Sequence, residues 1–97
     1  MDLDKSSLDS SSFMVGQGVV TDTPTPLIDA SFVRTALRGV HVHARTDNDA
    51  PILVSNGGTV GYELKVGEDL DIPIDSPAKV YVFSTENESD AYDWFSI

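Results

Sequence analysis

Two histidines and several carboxylate runs are the residues whose types and spacing could do chemistry. His41 and His43 sit two apart in Val40-His41-Val42-His43-Ala44. On a β-strand, residues two apart point to the same side, so both imidazoles could reach one transition-metal ion. A cupin metal site uses such a pair, but adds a glutamate a few residues on and a third histidine. Here Asp47 follows His43 by four positions and the chain holds only two histidines. The pair therefore reads as two partly exposed strand side chains, and no metal or other cofactor is expected. Asp47-Asn48-Asp49 and Glu68-Asp69-Leu70-Asp71 gather oxygen ligands of the kind calcium takes. Neither has the central glycine and closing glutamate of a twelve-residue EF-hand loop. They read as a turn and a solvated strand face.

Nucleophilic catalysis finds no support. There is no cysteine and no Gly-x-Ser-x-Gly elbow. Gly16-Gln17-Gly18 lacks the third glycine and the following helix of a dinucleotide fingerprint, and reads as a bend. Asn87-Glu88-Ser89 fits a glycosylation sequon without an apparent secretion signal, and reads as a turn. Tyr81, Tyr92, Trp94 and Phe95 are the large aromatics of the C-terminal half. They are assigned to the core, with an exposed subset as the alternative, forming a sugar-binding platform or a subunit contact. The chain is expected to bind rather than to catalyse.

Charge narrows the partners. The net charge is -10, which phosphate repels, so nucleic acid is excluded as a partner. Residues 1–46 hold five acids and four bases, for -1; residues 47–97 hold eleven acids and two lysines, for -9. The three arginines, Arg34, Arg38 and Arg45, fall in one short region. That makes them candidate contacts to acidic groups on a partner. No stretch approaches the roughly 20 apolar residues of a membrane span, so no membrane is expected. The absence of cysteine excludes disulfides and thiolate metal sites.

The elements that must position these residues are strands. Val40, Val42 and Ala44 alternate with His41, His43 and Arg45; Tyr62, Leu64 and Val66 alternate with Glu63 and Lys65; Leu70, Ile72 and Ile74 alternate with Asp69, Asp71 and Pro73. Pro73 cannot donate to a ladder, which predicts an edge strand or a strand end there. Lys79 to Ser84 is apolar on both faces, as for a central strand, and Tyr92 to Ile97 is a last strand. Phe32 to Leu37 reads as a strand rather than a helical turn. Turn signals recur about every 8 to 12 residues, so the chain is predicted to be all-β, a single antiparallel β-sandwich of about 7–8 strands, jelly-roll or immunoglobulin-like. In front of it, residues 1–26 read as an extended N-terminal arm and linker, serine- and aspartate-rich at first and broken later by Gly16, Gly18, Pro24 and Pro26. Residues 27–97 are the domain.

The stretch from Gly39 to Ile97 carries a resemblance. It reads Gly-Val-His-Val-His-Ala, then Asp-Asn-Asp-Ala-Pro-Ile-Leu-Val, Leu64, Gly67-Glu68, Ile72-Pro73-Ile74, Lys79-Val80-Tyr81-Val82 and a closing Trp94. In order and spacing this resembles a small β-sandwich domain of tailed-bacteriophage virion proteins. Asn56-Gly57-Gly58-Thr59-Val60 matches the glycine-rich turn of that pattern only approximately. The resemblance implies a capsid decoration or cement protein, a homotrimer on the capsid's outer surface that binds the major capsid protein and stabilises the head. A tail or head-fibre accessory protein and a carbohydrate-binding β-sandwich module are the alternatives. In the first reading, Phe13, Met14, Val15, Val19 and Val20 anchor the arm in a groove between shell subunits, and Arg34, Arg38 and Arg45 contact acidic groups on the shell or between protomers. On the histidine pair the expectation is plain: zinc titration by calorimetry should give no binding heat, and zinc should leave the melting temperature unchanged.

Overall fold

A computed structural model describes residues 14–29, 39–86 and 89–96. They form eight strands: β1 (Met14–Val19), β2 (Thr25–Pro26), β3 (Val40–Ala44), β4 (Ile52–Ser55), β5 (Tyr62–Leu64), β6 (Asp69–Ile72), β7 (Tyr81–Phe83) and β8 (Ala91–Ser96). Alternation is the reason. In β3, Val40, Val42 and Ala44 are buried while His41 and His43 face outward. In β8, Tyr92, Trp94 and Ser96 turn inward while Asp93 and Phe95 turn outward. Every pairing is antiparallel. The strands build two four-stranded sheets, a front sheet in the order β1-β8-β3-β6 and a back sheet in the order β2-β7-β4-β5. The all-β, antiparallel two-sheet architecture expected from the alternation is the one observed.

Between the sheets lies one core. Val40, Val42, Ala44, Tyr92 and Trp94 of the front sheet meet Ile52, Val54, Leu64 and Val82 of the back sheet, with Val20, Leu27 and Val80 closing the margins. Fully burying one such aliphatic side chain is worth about 1.5–3 kcal/mol. β7 lies inside its sheet, between β2 and β4. Its neighbours Val82 and Phe83 are both 1% exposed although they point to opposite faces, which is the two-sided cover its sequence predicts. β6 is an outer strand that ends at Ile72, immediately before Pro73, as the missing proline amide requires. A polar latch ties the β3–β4 turn to the start of β8. Asn48 donates to the Ala91 carbonyl at 2.9 Å and accepts from the Ala91 amide at 2.8 Å. The buried Asp90 carboxylate accepts from the Asp49 and Ala50 amides, both at 2.9 Å. The Asp47-Asn48-Asp49 run is thus a turn with a structural task.

The N-terminal boundary is corrected. Residues 14–26 are part of the body, not of an arm or linker. β1 pairs with β8 along its whole length, from Met14 opposite Ser96 to Val19 opposite Ala91. Thr25 and Pro26 pair with Val82 and Tyr81, and the Leu27 amide donates to the Val80 carbonyl at 2.9 Å. The glycines read as a bend are instead a close-packing device. Gly16 and Gly18 face inward over the large rings of β8. A Cβ on Gly16 would stand 2.4 Å from Trp94 Nε1, and one on Gly18 would stand 2.5 Å from the Tyr92 hydroxyl oxygen. Only residues 1–13 of the expected arm lie outside the described residues, as does the expected strand at Phe32 to Leu37.

A methyl group at Gly16 must displace a buried indole, so Gly16→Ala should cost about 1–3 kcal/mol in urea denaturation. Gly58→Ala meets nothing closer than 3.8 Å and serves as the near-neutral control. Equal stability of the two variants would show that β1 does not pack on Trp94 as described.

Candidate functional site

The antiparallel register brings the outward side chains of the front sheet into two rows. Val15 lies opposite Phe95, Phe95 opposite His41, and His41 opposite Asp71. One step along, Gln17 lies opposite Asp93, Asp93 opposite His43, and His43 opposite Asp69. Four strands distant in sequence thus contribute one side chain each to an apolar-to-acidic row and one each to a polar row. Arg45, just past the end of β3, extends the same face.

Short contacts link the rows. His41 Nδ1 lies 2.6 Å from Asp71 Oδ1, and its Nε2 lies 3.1 Å from Asp69 Oδ1. His43 Nδ1 lies 2.8 Å from the same Asp69 oxygen. The His41 ring stacks on Phe95 with centroids 4.6 Å apart and planes 16° apart. Arg45 grips Asp93 with two bonds, Nε to Oδ2 at 3.1 Å and Nη2 to Oδ1 at 2.9 Å, and also donates to the Gln17 carboxamide oxygen. A neutral imidazole carries one N–H and can donate to only one of the two carboxylates facing His41, whereas the imidazolium donates to both. Partial burial is the largest single influence on that ring and works against the proton. The hydrogen bonds to Asp71 and Asp69, with the charges behind them, together outweigh it, and His41 titrates above its usual 6.5. Asp69 is held below the usual carboxylate range, first by its bond to His43 and then by that to His41. Asp93 is lowered by Arg45.

Above the face is a shallow concavity of about 590 Å³, lined by Val15, Gln17, His41, His43, Asp93 and Phe95 among others. Among the described residues, no three histidine, cysteine, aspartate or glutamate side chains converge to hold a metal ion. The groups that titrate are engaged with one another, so the arrangement is a cross-strand electrostatic clamp with an apolar end at Val15 and Phe95.

The residues singled out in the sequence are distributed as follows. Phe13, Arg34 and Arg38 lie outside the described residues. Met14 and Val20 are corrected as arm anchors: both pack on the core, and Val20 is 1% exposed. Val15 and Val19 face outward and are 67% and 60% exposed. Arg45, a candidate contact to acidic groups of a partner, is engaged within the chain by Asp93. Sequence reasoning did not single out Gln17, Asp93 or Phe95 as members of a shared face. The alternation of Tyr92, Asp93, Trp94 and Phe95 held the signal for the last two: with the tyrosine and the indole inside, the residues between them must point out. Compared with protein-family models, curated proteins and solved structures, the chain matches none.

The pH dependence follows from the directions of these shifts. His41 is raised in the folded state, so its contribution to stability is complete below the unfolded value of 6.5 and is lost as pH rises through the folded value. Asp69 is lowered, so its contribution is complete above the usual 3.8 and is lost as pH falls through its folded value. Midpoints of urea denaturation should therefore be higher at about pH 5.5 than at about pH 8.5, and His41→Gln should flatten that difference. An unchanged difference in the variant would remove His41 from the clamp.

Proposed function

We propose that the protein is a structural virion component: a capsid decoration or cement protein that seats on the outer surface of a bacteriophage head, binds the major capsid protein and stabilises the shell. One observation carries the reading. In a chain of net charge -10, the front sheet presents an exposed apolar strip, Val15, Val19 and Phe95, on a backbone held rigid by strand pairing. Exposed apolar groups on a rigid face bind at a lower ordering cost than a flexible segment does, and a polar rim around them is the usual anatomy of a protein contact. The resemblance of Gly39 to Ile97 to phage virion sandwiches points to the same class of partner. The polar groups of the face satisfy one another, which suits a binding body better than a catalyst. Residues 1–13 lead directly into β1, so a leading segment that seats on the shell would adjoin this strip.

A second reading, a carbohydrate-binding module, has one specific observation in its favour. The concavity sets the Phe95 ring among hydrogen-bonding side chains of Gln17, His43 and Asp93. A tail or fibre accessory uses the same kind of surface and is separated by copy number in purified particles, many per head against a few per tail.

Deletion of residues 2–20 would remove β1 and unfold the body, so the informative truncation stops before Phe13. Removing residues 2–12 should leave the melting transition intact and abolish binding to purified shells. Val15→Asp with Val19→Asp should weaken shell binding at least tenfold, or about 1.4 kcal/mol. Full affinity in both variants would overturn the reading, and glycan-array signal lost on Phe95→Ala would replace it with the carbohydrate one.

A further inference from the structure

The strands that end each sheet differ in how they are guarded. Among the described residues they are β1 and β6 in the front sheet and β2 and β5 in the back sheet. An outer strand offers unpaired backbone donors and acceptors, which proteins blunt with charge, proline or brevity. β6 carries Asp69 and Asp71 and runs into Pro73. β2 is two residues long and contains Pro26. β5 is three residues long and contains Glu63. β1 has none of these devices: Met14-Val15-Gly16-Gln17-Gly18-Val19 is six residues without a charge or a proline.

We infer that β1 is a self-association edge that pairs antiparallel with β1 of a second copy, about a twofold axis at Gln17, joining two four-stranded front sheets into one of eight strands. Register supports it. With Gln17 on the axis, Val15 stands opposite the partner's Val19, so the exposed valines of the two strands stand side by side on the outward face and extend its apolar strip. On the inward face Gly16 stands opposite the partner's Gly18, and neither has a side chain to obstruct the approach. The two Gln17 carboxamides meet at the axis, where each –NH2 can donate to the other oxygen's second lone pair, the first being taken by Arg45 of its own chain.

Charge selects the same edge. Two copies of net charge -10 repel, and β1 is the long edge where they meet without bringing carboxylates together. The nearest acid of the front face, Asp93, is already neutralised by Arg45. Closure follows as well. The outer strands of the joined sheet are the two copies of β6, whose aspartates and Pro73 stop further addition, so a twofold contact ends at a dimer and does not propagate as a fibre. A twofold pairing differs from the trimer that the resemblance implies. It does not rest on the shell reading, because it is tested on the purified protein alone.

The chain has no cysteine, so Gln17→Cys supplies its only thiol. Linking by mild oxidation or a short bis-maleimide should give a covalent species of twice the 10.5 kDa chain mass, at least tenfold faster than for Glu63→Cys on the β5 edge. Light scattering of the unmodified protein should show mass rising toward the dimer with concentration. Val15→Lys with Val19→Lys should return it to the single chain with its circular dichroism spectrum retained, and its melting temperature should no longer rise with protein concentration. Linking of Gln17→Cys no faster than the control, a mass that stays at one chain up to millimolar protein, or a mass of three chains would each overturn the pairing.

Discussion

The front sheet depends on a close approach: β1 can lie beside β8 only because Gly16 and Gly18 leave room for the Trp94 indole and the Tyr92 ring. Any side chain at those two positions would stand inside the van der Waals envelope of a buried aromatic group. Glycine in a strand costs conformational entropy and packs nothing of its own. Here that cost is offset by two large rings filling the space the missing side chains leave. With the pairing in place, Val15, Gln17 and Val19 are aimed outward. Gln17 is then brought to Arg45 and Val15 to Phe95. The apolar strip, the groove beside it and the unguarded outer edge all follow from that one fit.

A second set of contacts holds the rest of the sandwich in register. Asn48 continues the β8 ladder with a side-chain amide, donating to and accepting from Ala91 as a neighbouring strand would. Asp90 receives the two amides of the turn before β4. Buried backbone donors that would otherwise lose their water are thereby satisfied, which matters more than the net worth of each bond. On the outside, the His41, His43, Asp69 and Asp71 contacts fasten β6 to β3. Individually such exposed pairs contribute little. Their consequence is arrangement: Asp69 and Asp71 of β6 meet the histidines of β3, Asp93 meets Arg45, and β1 carries no charge.

The same residues that invite a chemical reading are thus occupied with one another. A histidine pair on a strand, an aspartate-rich turn and an aspartate-rich strand suggest ligands when read along the chain. Placed on the sandwich, the turn carboxamide and Asp90 serve backbone groups, and the histidines serve the edge strand. The exposed apolar groups of the front sheet, Val15, Val19 and Phe95, sit where β1 meets β8.

Alternation along the chain was enough to determine the class of fold, the inward set Val40, Val42, Ala44, the two-sided burial of β7 and the end of β6 at Pro73. Each of these depends on a residue and its immediate neighbours, through the two-residue period of a strand or the missing amide of proline. The fate of residues 14–26 was not legible in that way. Glycine and proline there resemble a linker because their use lies in what crosses them: the Trp94 and Tyr92 rings for Gly16 and Gly18, the outer edge of the back sheet for Pro26. The site was divided likewise. That His41 and His43 share a face was readable, since both lie on one strand. That Asp69, Asp71, Asp93, Gln17 and Phe95 join them was decided by strand order and register, which are set by long-range packing between segments that carry no mark of each other in the sequence.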